Sequence, residues 1–348
     1  MEKIENRICS IIIDYNYKSF NIEKDYDGVV IITDQNVYTH QVDKLISNIK
    51  SKMIYEYVIV PGENSKSLEV YEEIMKYLTR INLSRKSLII AVGGGVVGDI
   101  SGFVASTYMR GIDIIQVPTT LLAQVDSSVG GKTGINLGNF KNIIGSFYQP
   151  TLTYISISAL KTLPEKEFLD GISEVIKYSL IYDYSFLEYL IKYSEEILER
   201  ETINLYEVVK KCISIKAHIV EKDEKESDLR KILNFGHTFG HGVEKLGNIS
   251  HGEAVAIGMN MAFKLSFSEN LVGEDYYNKF LEVCTKYKLN LGYYDLDENK
   301  ILQIMKIDKK NSFAKINLVL PVGFGKVQVI DYIDEGKILE IIKRCKNA

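Results

Sequence analysis

The sequence predicts an N-terminal doubly wound α/β domain of the Rossmann-like type, followed by an all-α C-terminal domain. Three observations support this prediction. Between residues 29 and 118, short apolar runs typical of buried strands alternate with helical patterns. A glycine-rich turn directly follows the apolar run 87–92. From about residue 160 onward the pattern is mostly helical, with Lys and Glu on the polar faces. Alternation of this kind implies a parallel sheet.

The predicted elements of the first half follow one another in chain order. Strands are predicted at residues 29–33, 57–60, 87–92 and 112–117, and helices at residues 36–49, 67–78 and 96–108. Ligands of such sheets bind outside the carboxyl ends of the strands, so polar residues that directly follow a strand are candidate binding residues. In the helical half, residues 315–330 are the exception, because their pattern is consistent with a short hairpin.

Composition limits the classes of function. Of 348 residues, 46% are hydrophobic and 25% are charged, and the net charge of −4 gives no support for nucleic-acid binding. Four scattered cysteines without C-x-x-C spacing predict a reduced, cytoplasmic protein. No stretch approaches the roughly 20 apolar residues of a membrane span, and the N-terminal apolar run is too short for a signal peptide.

Gly93, Gly95 and Gly98 follow the third predicted strand in G-x-G-x-x-G spacing. Such a turn before a helix lets backbone N–H groups approach a pyrophosphate, although a simple tight turn is the alternative. The next segment contains PTTLLAQVDSSVGGKTGIN, and Lys141 and Asn142 lie shortly after it. Its polar side chains among small residues suit an anionic, hydroxyl-rich ligand.

Three of the five histidines cluster in the sequence. His237 and His241 are four residues apart, which places them on one face of a helix, and His251 begins another predicted helix. Upstream, Glu174 and Lys177 are three residues apart on a predicted helix. Two imidazole nitrogens and one carboxylate are a standard ligand set for catalytic zinc. By spacing alone, a surface or capping pair of histidines is the alternative.

The segment VDSSVGGKTGIN, at residues 125–136, resembles the signature of the 3-dehydroquinate synthase family. More broadly, the chain resembles the sugar phosphate cyclases, distant relatives of the iron-dependent alcohol and glycerol dehydrogenases. The resemblance extends from about residue 33 to about residue 323. Two departures are the sequence LGNF at 137–140, where the family usually has a His-Pro pair, and Ser156, where Asp is more frequent. Because spacing is kept at 137–140, we expect a changed loop surface and unchanged chemistry.

The resemblance implies a fold, cofactors and a reaction. It implies that residues 1–160 bind NAD and that residues 161–348 bind a divalent metal (zinc or cobalt) and substrate. The implied substrate is 3-deoxy-D-arabino-heptulosonate 7-phosphate, which the family converts to 3-dehydroquinate and phosphate in the shikimate pathway. It further implies a homodimer, in which Arg110 enters a site of the partner subunit.

Site residues also follow from the resemblance. The implied metal ligands are Glu174, His237 and His251. The implied NAD-binding residues are Asp34, Asn36, Glu63, Lys66, Gly93, Gly94, Gly95, Asp99, Thr119, Thr120, Lys141, Leu160 and Thr162. The residues implied near the substrate are Arg110, Asp126, Lys132, Asn142, Lys177, Lys216, Glu226, Arg230, Asn234, His241, Lys309 and Lys310, with either of the last two lysines as the direct contact. Arg230 and Lys216 are assigned to the substrate carboxylate, which Arg binds bidentately.

Structural roles compete with several of these assignments. Asp34 and Ser65 have the residue types of helix N-caps. The run EKDEKESD, at residues 221–228, has the composition of a solvated charged face.

Three other functions are compatible with parts of the pattern. A metal-dependent NAD polyol dehydrogenase would use the same architecture but would not need Lys132, Lys216 and Arg230. A cyclase that makes a valiolone or an inosose would usually differ within DSSVGGKTGIN, which is intact here. A scaffold that only binds metal and nucleotide gives no reason for Lys177, Glu226 and Arg230.

Overall fold

The structure of the protein, a computed structural model, describes residues 1–5, 7–8, 10–49, 51, 53–138, 140–247, 249–307 and 316–347. The chain forms two compact units. The first unit comprises Met1–Phe168 and Leu205–Glu221, and the second comprises Leu169–Asn204 and Lys222–Ala348. The functional division at residue 160 stays a prediction. Lys309 and Lys310 lie outside the described residues.

The secondary structure comprises strands, α-helices and short turns of 3-10 or π-helix. The strands are β1 (Glu2–Glu5), β2 (Ser10–Asp14), β3 (Val29–Asp34), β4 (Ile54–Ile59), β5 (Leu88–Gly93), β6 (Asp113–Pro118), β7 (Lys132–Leu137), β8 (Phe140–Phe147), β9 (Leu152–Ser156), β10 (Leu318–Gly323) and β11 (Lys326–Ile330). The α-helices are α1 (Gln35–Val37), α2 (Asp43–Ile46), α3 (Leu68–Arg80), α4 (Gly95–Thr107), α5 (Glu165–Ile181), α6 (Tyr184–Lys192), α7 (Ser194–Leu198), α8 (Thr202–Lys222), α9 (His237–Leu246), α10 (His251–Ser268), α11 (Glu274–Lys286), α12 (Glu298–Ile307) and α13 (Glu335–Arg344). The π-helical turns are Tyr38–Val42 and Ala123–Ser127, and the 3-10 turns are Glu63–Ser65, Tyr108–Arg110, Ile157–Thr162 and Leu229–Asn234.

A seven-stranded sheet forms the centre of the first unit, in the order β1-β2-β9-β6-β5-β3-β4. All neighbouring strands are parallel except β1 and β2. Strand β5 is buried along its whole length. Ile89 and Ala91 belong to one core cluster, whereas Leu88, Ile90 and Val92 belong to another, as the two-residue side-chain period of a strand requires. The predicted doubly wound domain is confirmed.

Some elements differ from the sequence-based expectation. The predicted helix 36–49 is interrupted, because the π-helical turn Tyr38–Val42 separates α1 from α2. Strands β1, β2 and β9 and the hairpin β7–β8 were not predicted. The two strands of that hairpin lie so close together that a Cβ on Gly145 would lie 2.2 Å from the Thr133 carbonyl oxygen. Part of the glycine-rich segment whose side chains suit an anionic ligand therefore also forms a tightly paired hairpin.

The second unit is mainly helical and contains the predicted hairpin, formed by the antiparallel strands β10 and β11. Helices α9 and α10 pack through glycines. A Cβ on Gly258 would lie 1.9 Å from the carbonyl oxygen of Gly236, and one on Gly240 would lie 2.7 Å from that of Ala254. This close approach fixes the N-terminal ends of both helices. Among the described residues, no helix is both long enough and apolar enough to span a membrane.

We expect Gly258→Ala to destabilise the protein. An alanine gains about 1 kcal/mol of helix propensity, but over-packing costs about 1–3 kcal/mol or more. The packing cost should dominate because the added methyl group meets backbone atoms, which cannot rotate away. Gly323→Ala is the control, since nothing lies within 4 Å of a Cβ at that position. Urea unfolding measures both free energies, and equal stability of Gly258→Ala and wild type would contradict the close packing of α9 and α10.

Candidate active site

The glycine turn joins β5 to α4 in the first unit. A Cβ on Gly93 would lie 2.6 Å from the Val97 Cβ atom, and one on Gly94 would lie 3.0 Å from Thr120 Cγ2, so side chains are excluded there. The N–H of Thr119 donates to the Gly93 carbonyl oxygen at 3.0 Å. The structure therefore brings the predicted residues Gly93, Gly94, Thr119 and Thr120 together, and Gly95 begins α4. The free N–H groups of a helix N-terminus suit a phosphate.

A polar network connects four other predicted residues with Asn136. Lys66 Nζ lies 2.7 Å from Asp99 Oδ2 and 3.7 Å from Glu63 Oε1. Asn136 Nδ2 donates to Glu63 Oε1 at 2.8 Å, and Asn136 Oδ1 accepts from the N–H of Asn142 at 2.8 Å. Burial raises the pKa of Asp99, although the charge of Lys66 opposes this shift. The network fixes an ammonium group, carboxylates and an amide around one region of the first unit.

A cavity of about 440 Å³ adjoins this network. It contains two lysines, Lys66 and Lys141, beside carboxylate and amide groups. Its lining residues are Glu63, Asn64, Lys66, Ser67, Leu68, Glu69, Asn136, Leu137, Gly138 and Lys141. Lysine ammonium groups beside hydrogen-bonding side chains suit a hydroxyl-rich anion.

Asp126 and Lys216, both in the first unit, also come together. Lys216 Nζ donates to the Asp126 carbonyl oxygen at 2.5 Å and to Asp126 Oδ1 at 2.8 Å. The Lys216 side chain is 6% exposed, so this ion pair is only weakly screened by water. The pair anchors α8 to the segment that follows β6.

Two predicted NAD-binding residues, Asp34 and Thr162, accept hydrogen bonds from other groups of the protein. Asp34 caps α1, accepting hydrogen bonds from the N–H groups of Asn36 and Val37 at 2.9 and 3.0 Å. Thr162 Oγ1 accepts from Gln41 Nε2 at 2.9 Å. The capping alternative therefore holds for Asp34, while α3 is capped by Ser67 and not by Ser65. Contacts of Asp34, Asn36 and Thr162 with a dinucleotide stay predictions.

Four predicted residues lie at exposed positions or in the core, and one of them, Asn142, also donates to Asn136. Arg110 and Asn142 adopt left-handed backbone conformations, with φ of 67° and 55°. Both residues are exposed, as is Lys132 at the start of β7. Leu160 is fully buried. Non-glycine residues with positive φ are concentrated at functional sites, which agrees with a binding role for Arg110 and Asn142 but does not test it.

The predicted metal ligands meet in the second unit. Glu174 in α5 is fully buried, and its Oε1 atom lies 3.4 Å from His237 Nε2 and 3.6 Å from His251 Nε2. One ligand atom from each of the three residues lies within 4.8 Å of the other two. Ligand atoms about 2.1 Å from a tetrahedral zinc ion are about 3.4 Å apart. The three side chains thus fit a divalent metal.

Neighbouring acceptors orient both imidazole rings. His237 Nδ1 lies 3.1 Å from the Phe235 carbonyl oxygen, and His251 Nδ1 lies 3.3 Å from Glu244 Oε2. A proton on each Nδ1 would leave each Nε2 lone pair directed toward Glu174, as metal binding requires. His241 lies on the same helix as His237, with ring centroids 5.6 Å apart. It is thus placed beside the ligand set.

Lys177 contributes a positive charge directly beside the Glu174 carboxylate. Its ammonium group forms a buried ion pair with Glu174. Burial and the charge of Lys177 lower the pKa of His237 to about 3, so its imidazole is neutral. Burial would lower the pKa of His251 as well, but hydrogen bonds with Glu174 and Glu244 raise it to about 10. The site therefore combines a buried carboxylate with imidazoles in different electrostatic environments.

Arg230, Glu226 and Asn234 lie in or beside one turn of the second unit. Arg230 is 2% exposed, and its Nη1 atom donates to the Glu224 carbonyl oxygen at 2.6 Å. Asn234 Nδ2 donates to Glu226 Oε1 at 2.8 Å. Asn234 and His237 do not lie on one continuous helix. The 3-10 turn ends at Asn234, and Gly236, with φ of 81°, separates it from α9.

Comparison with known proteins assigns the family. The family models described as 3-dehydroquinate synthase N-terminal and 3-dehydroquinate synthase C-terminal match residues 56–170 and 171–311. The chain belongs to the 3-dehydroquinate synthase family. A 3-dehydroquinate synthase of Thermoanaerobacter sp. (strain X514) is 48% identical over 318 residues, which are 90% of this chain and 89% of that protein. The 3-dehydroquinate synthase of Caldanaerobacter subterraneus subsp. tengcongensis is 42% identical over 355 residues, covering 96% of this chain and 99% of that protein.

A solved structure shows the same fold. The 2-epi-5-epi-valiolone synthase of Streptomyces hygroscopicus subsp. jinggangensis 5008, solved with NAD+ and Zn2+ bound, matches with a TM-score of 0.90 at 22% identity. The match covers 99% of this chain and 98% of that chain. The architecture of an α/β domain and a helical domain is therefore shared with that synthase.

Sequence reasoning missed two residues of this 3-dehydroquinate synthase family member. Glu244, which contacts His251, follows His237 by seven residues on α9. Two helical turns separate the two positions, so this spacing could have identified Glu244 as lying on the same face. Asp223 accepts several hydrogen bonds at the turn that carries Arg230. Within the charged run 221–228, nothing in the sequence distinguishes it from its neighbours.

Proposed function

We propose that the protein converts 3-deoxy-D-arabino-heptulosonate 7-phosphate to 3-dehydroquinate and phosphate. The observation that carries the proposal is the buried Glu174 carboxylate facing two Nε2 atoms in a chain of the 3-dehydroquinate synthase family. Membership of that family and the intact DSSVGGKTGIN segment favour this reaction over a polyol dehydrogenase or another cyclase.

The chemistry of the substrate requires oxidation before elimination. The proton beside the phosphate-bearing carbon is not acidic until the neighbouring C5 alcohol has become a ketone. Bound NAD supplies a transient hydride acceptor for C5, and a bound divalent metal, zinc or cobalt, supplies a Lewis acid for the C5 oxygen. The departing phosphate is itself a base for that proton, which reduces the need for a strong protein base. After phosphate has left, the C5 ketone is reduced again by return of the same hydride, and ring opening and an intramolecular aldol step then give the carbocycle.

Residues of the second unit hold the metal and bind the substrate. We assign the metal to Glu174, His237 and His251. Lys177, which pairs with Glu174, is available to stabilise developing negative charge. Arg230, with its fixed guanidinium group, binds the substrate carboxylate.

Residues of the first unit hold the dinucleotide and the phosphate. The turn containing Gly93, Gly94 and Gly95 and the lysines of the cavity are assigned to NAD. Arg110, Lys132 and Asn142 are assigned to the substrate phosphate. Lys216 is held by Asp126, so its charge is fixed in place for a substrate group.

The state of the protein in the cell is also proposed. We infer that it is a cytoplasmic homodimer that binds neither nucleic acid nor membrane. Cys212, Cys284 and Cys345 are buried thiols, which agrees with a reducing compartment. The net charge of −4 agrees with a small-molecule substrate.

An assay with the heptulosonate phosphate tests the proposed function. We expect the purified protein, supplied with NAD and Zn2+, to release phosphate and form 3-dehydroquinate in equal amounts. The product can be identified by mass spectrometry. Formation of a different carbocycle would favour another cyclase. Activity with glycerol but none with the heptulosonate phosphate would favour the dehydrogenase.

A further inference from the structure

A buried carboxylate holds together the turn that carries Arg230. Asp223 follows α8 directly and is 8% exposed. Its Oδ1 atom accepts from the N–H of Ser227 at 2.9 Å and from the Ser227 hydroxyl at 3.0 Å. Its Oδ2 atom accepts from the N–H groups of Asp228 at 2.7 Å and Arg230 at 3.0 Å. The Asp223 side chain therefore accepts hydrogen bonds from three residues of the turn, Ser227, Asp228 and Arg230.

Two of these donors belong to the start of the 3-10 helix Leu229–Asn234. N-terminal N–H groups of a helix have no partners within it and need acceptors from elsewhere. Asp228 is the N-cap residue of this helix. In the described part of the chain, however, its side chain accepts no hydrogen bond from an N–H group of the helix. Asp223 provides the missing acceptor from five residues upstream. The start of this helix therefore depends on the Asp223 carboxylate.

The electrostatics agree with a permanently ionised group. Burial would raise the pKa of Asp223, but hydrogen bonds from the N–H groups of Asp228, Arg230 and Ser227 lower it well below its ordinary value. An ionised carboxylate accepts stronger hydrogen bonds than a neutral amide does.

The same turn fixes the groups that we assign to chemistry. Arg230 is held at both ends, since its N–H donates to Asp223 and its Nη1 atom donates to the Glu224 carbonyl oxygen. Glu226 adopts a left-handed backbone conformation with φ of 60°, and its Oε1 atom accepts from Asn234. Such a conformation persists only where surrounding contacts enforce it, and those of Asp223 span this residue.

We propose that Asp223 is a positioning residue, whose carboxylate holds Arg230 in the arrangement that receives the substrate. This inference rests on the proposed function, because it assigns Arg230 to the substrate carboxylate. Asp223 itself does not need to touch the substrate. Its effect on substrate binding should therefore pass through Arg230.

A double-mutant cycle tests this dependence. In Asp223→Asn, one carboxylate oxygen is replaced by an NH2 group, which cannot accept a hydrogen bond. The hydrogen bonds that this oxygen accepts in the wild type are therefore lost. We expect KM for the heptulosonate phosphate to rise about tenfold or more, with a smaller change in kcat. In an Arg230→Ala background the same substitution should leave KM almost unchanged. Asp228→Asn is the matched control, because it removes an exposed charge from the same turn but keeps the backbone donor.

The outcomes separate the possible explanations. If Asp223→Asn leaves KM unchanged, or if its effect adds fully to that of Arg230→Ala, the positioning role is overturned. If Asp223→Asn does not unfold cooperatively, Ser227→Ala replaces it in the cycle, since it removes only one of the four bonds. For Ser227→Ala we expect a smaller rise in KM, which should disappear in the Arg230→Ala background. Any other result overturns the proposal. If the wild-type protein does not turn over the heptulosonate phosphate, the proposed function is overturned together with the positioning role. If the wild type is active and the effects of the two substitutions on KM add, only the positioning role is overturned.

Discussion

His237→Ala is expected to lose its metal and nearly all activity. The substitution removes one of the two imidazoles that we assign to the metal, from a site in which Glu174 Oε1 lies 3.4 Å from His237 Nε2. With one ligand gone, the buried Glu174 carboxylate and His251 are left to hold the ion. Loss of several kcal/mol of Lewis-acid stabilisation corresponds to a decrease in rate of about three orders of magnitude. Elemental analysis after gel filtration measures the metal, and phosphate release measures activity.

His40→Ala is the matched control for this substitution. His40 is exposed and lies in the π-helical turn between α1 and α2, so the variant should retain full metal content. If His237→Ala retains as much metal as His40→Ala, then His237 is not a ligand.

Arg230→Ala is expected to lower kcat/KM by about 10- to 150-fold, which corresponds to the roughly 1.5–3 kcal/mol of a charge-assisted hydrogen bond. The guanidinium group is buried and held by the Glu224 carbonyl oxygen, so solvent weakens its interactions little. Arg230→Lys should recover only part of the loss, because lysine keeps the charge but not the planar pair of donors.

Arg344→Ala is the control for Arg230→Ala. Arg344 is an exposed residue whose ion pair with Glu340 lies on the surface of α13, where such pairs contribute little. Steady-state kinetics with the heptulosonate phosphate measures all three variants. Unchanged kcat/KM for Arg230→Ala would remove this residue from the substrate site.

Local patterns predicted much of the fold and the metal site. The buried run 88–92 and the glycines after it identified strand β5 and the turn that follows it. Spacing placed His237 and His241 on one helix and His251 at the start of the next. These features were predictable because each depends on residues close together in the sequence.

Other features depend on contacts that the local sequence does not encode. Asp223 has the same type and context as its charged neighbours, and only the return of the chain at Ser227 and Arg230 buries it. The interrupted helix after β3 contains no proline or glycine between residues 35 and 46. The assignment of substrate and cofactor came from resemblance to a family, since spacing alone was also compatible with a dehydrogenase.

The central claim is that NAD acts as a recycled catalyst, and turnover with limiting NAD tests it directly. Protein stripped of NAD should be inactive. Addition of NAD in less than stoichiometric amounts to substrate should then support many turnovers. Phosphate should accumulate while NADH absorbance at steady state stays nearly flat, because the hydride removed from C5 is returned in the same catalytic cycle. Formation of one NADH per substrate without phosphate release would contradict the claim and identify a net dehydrogenase.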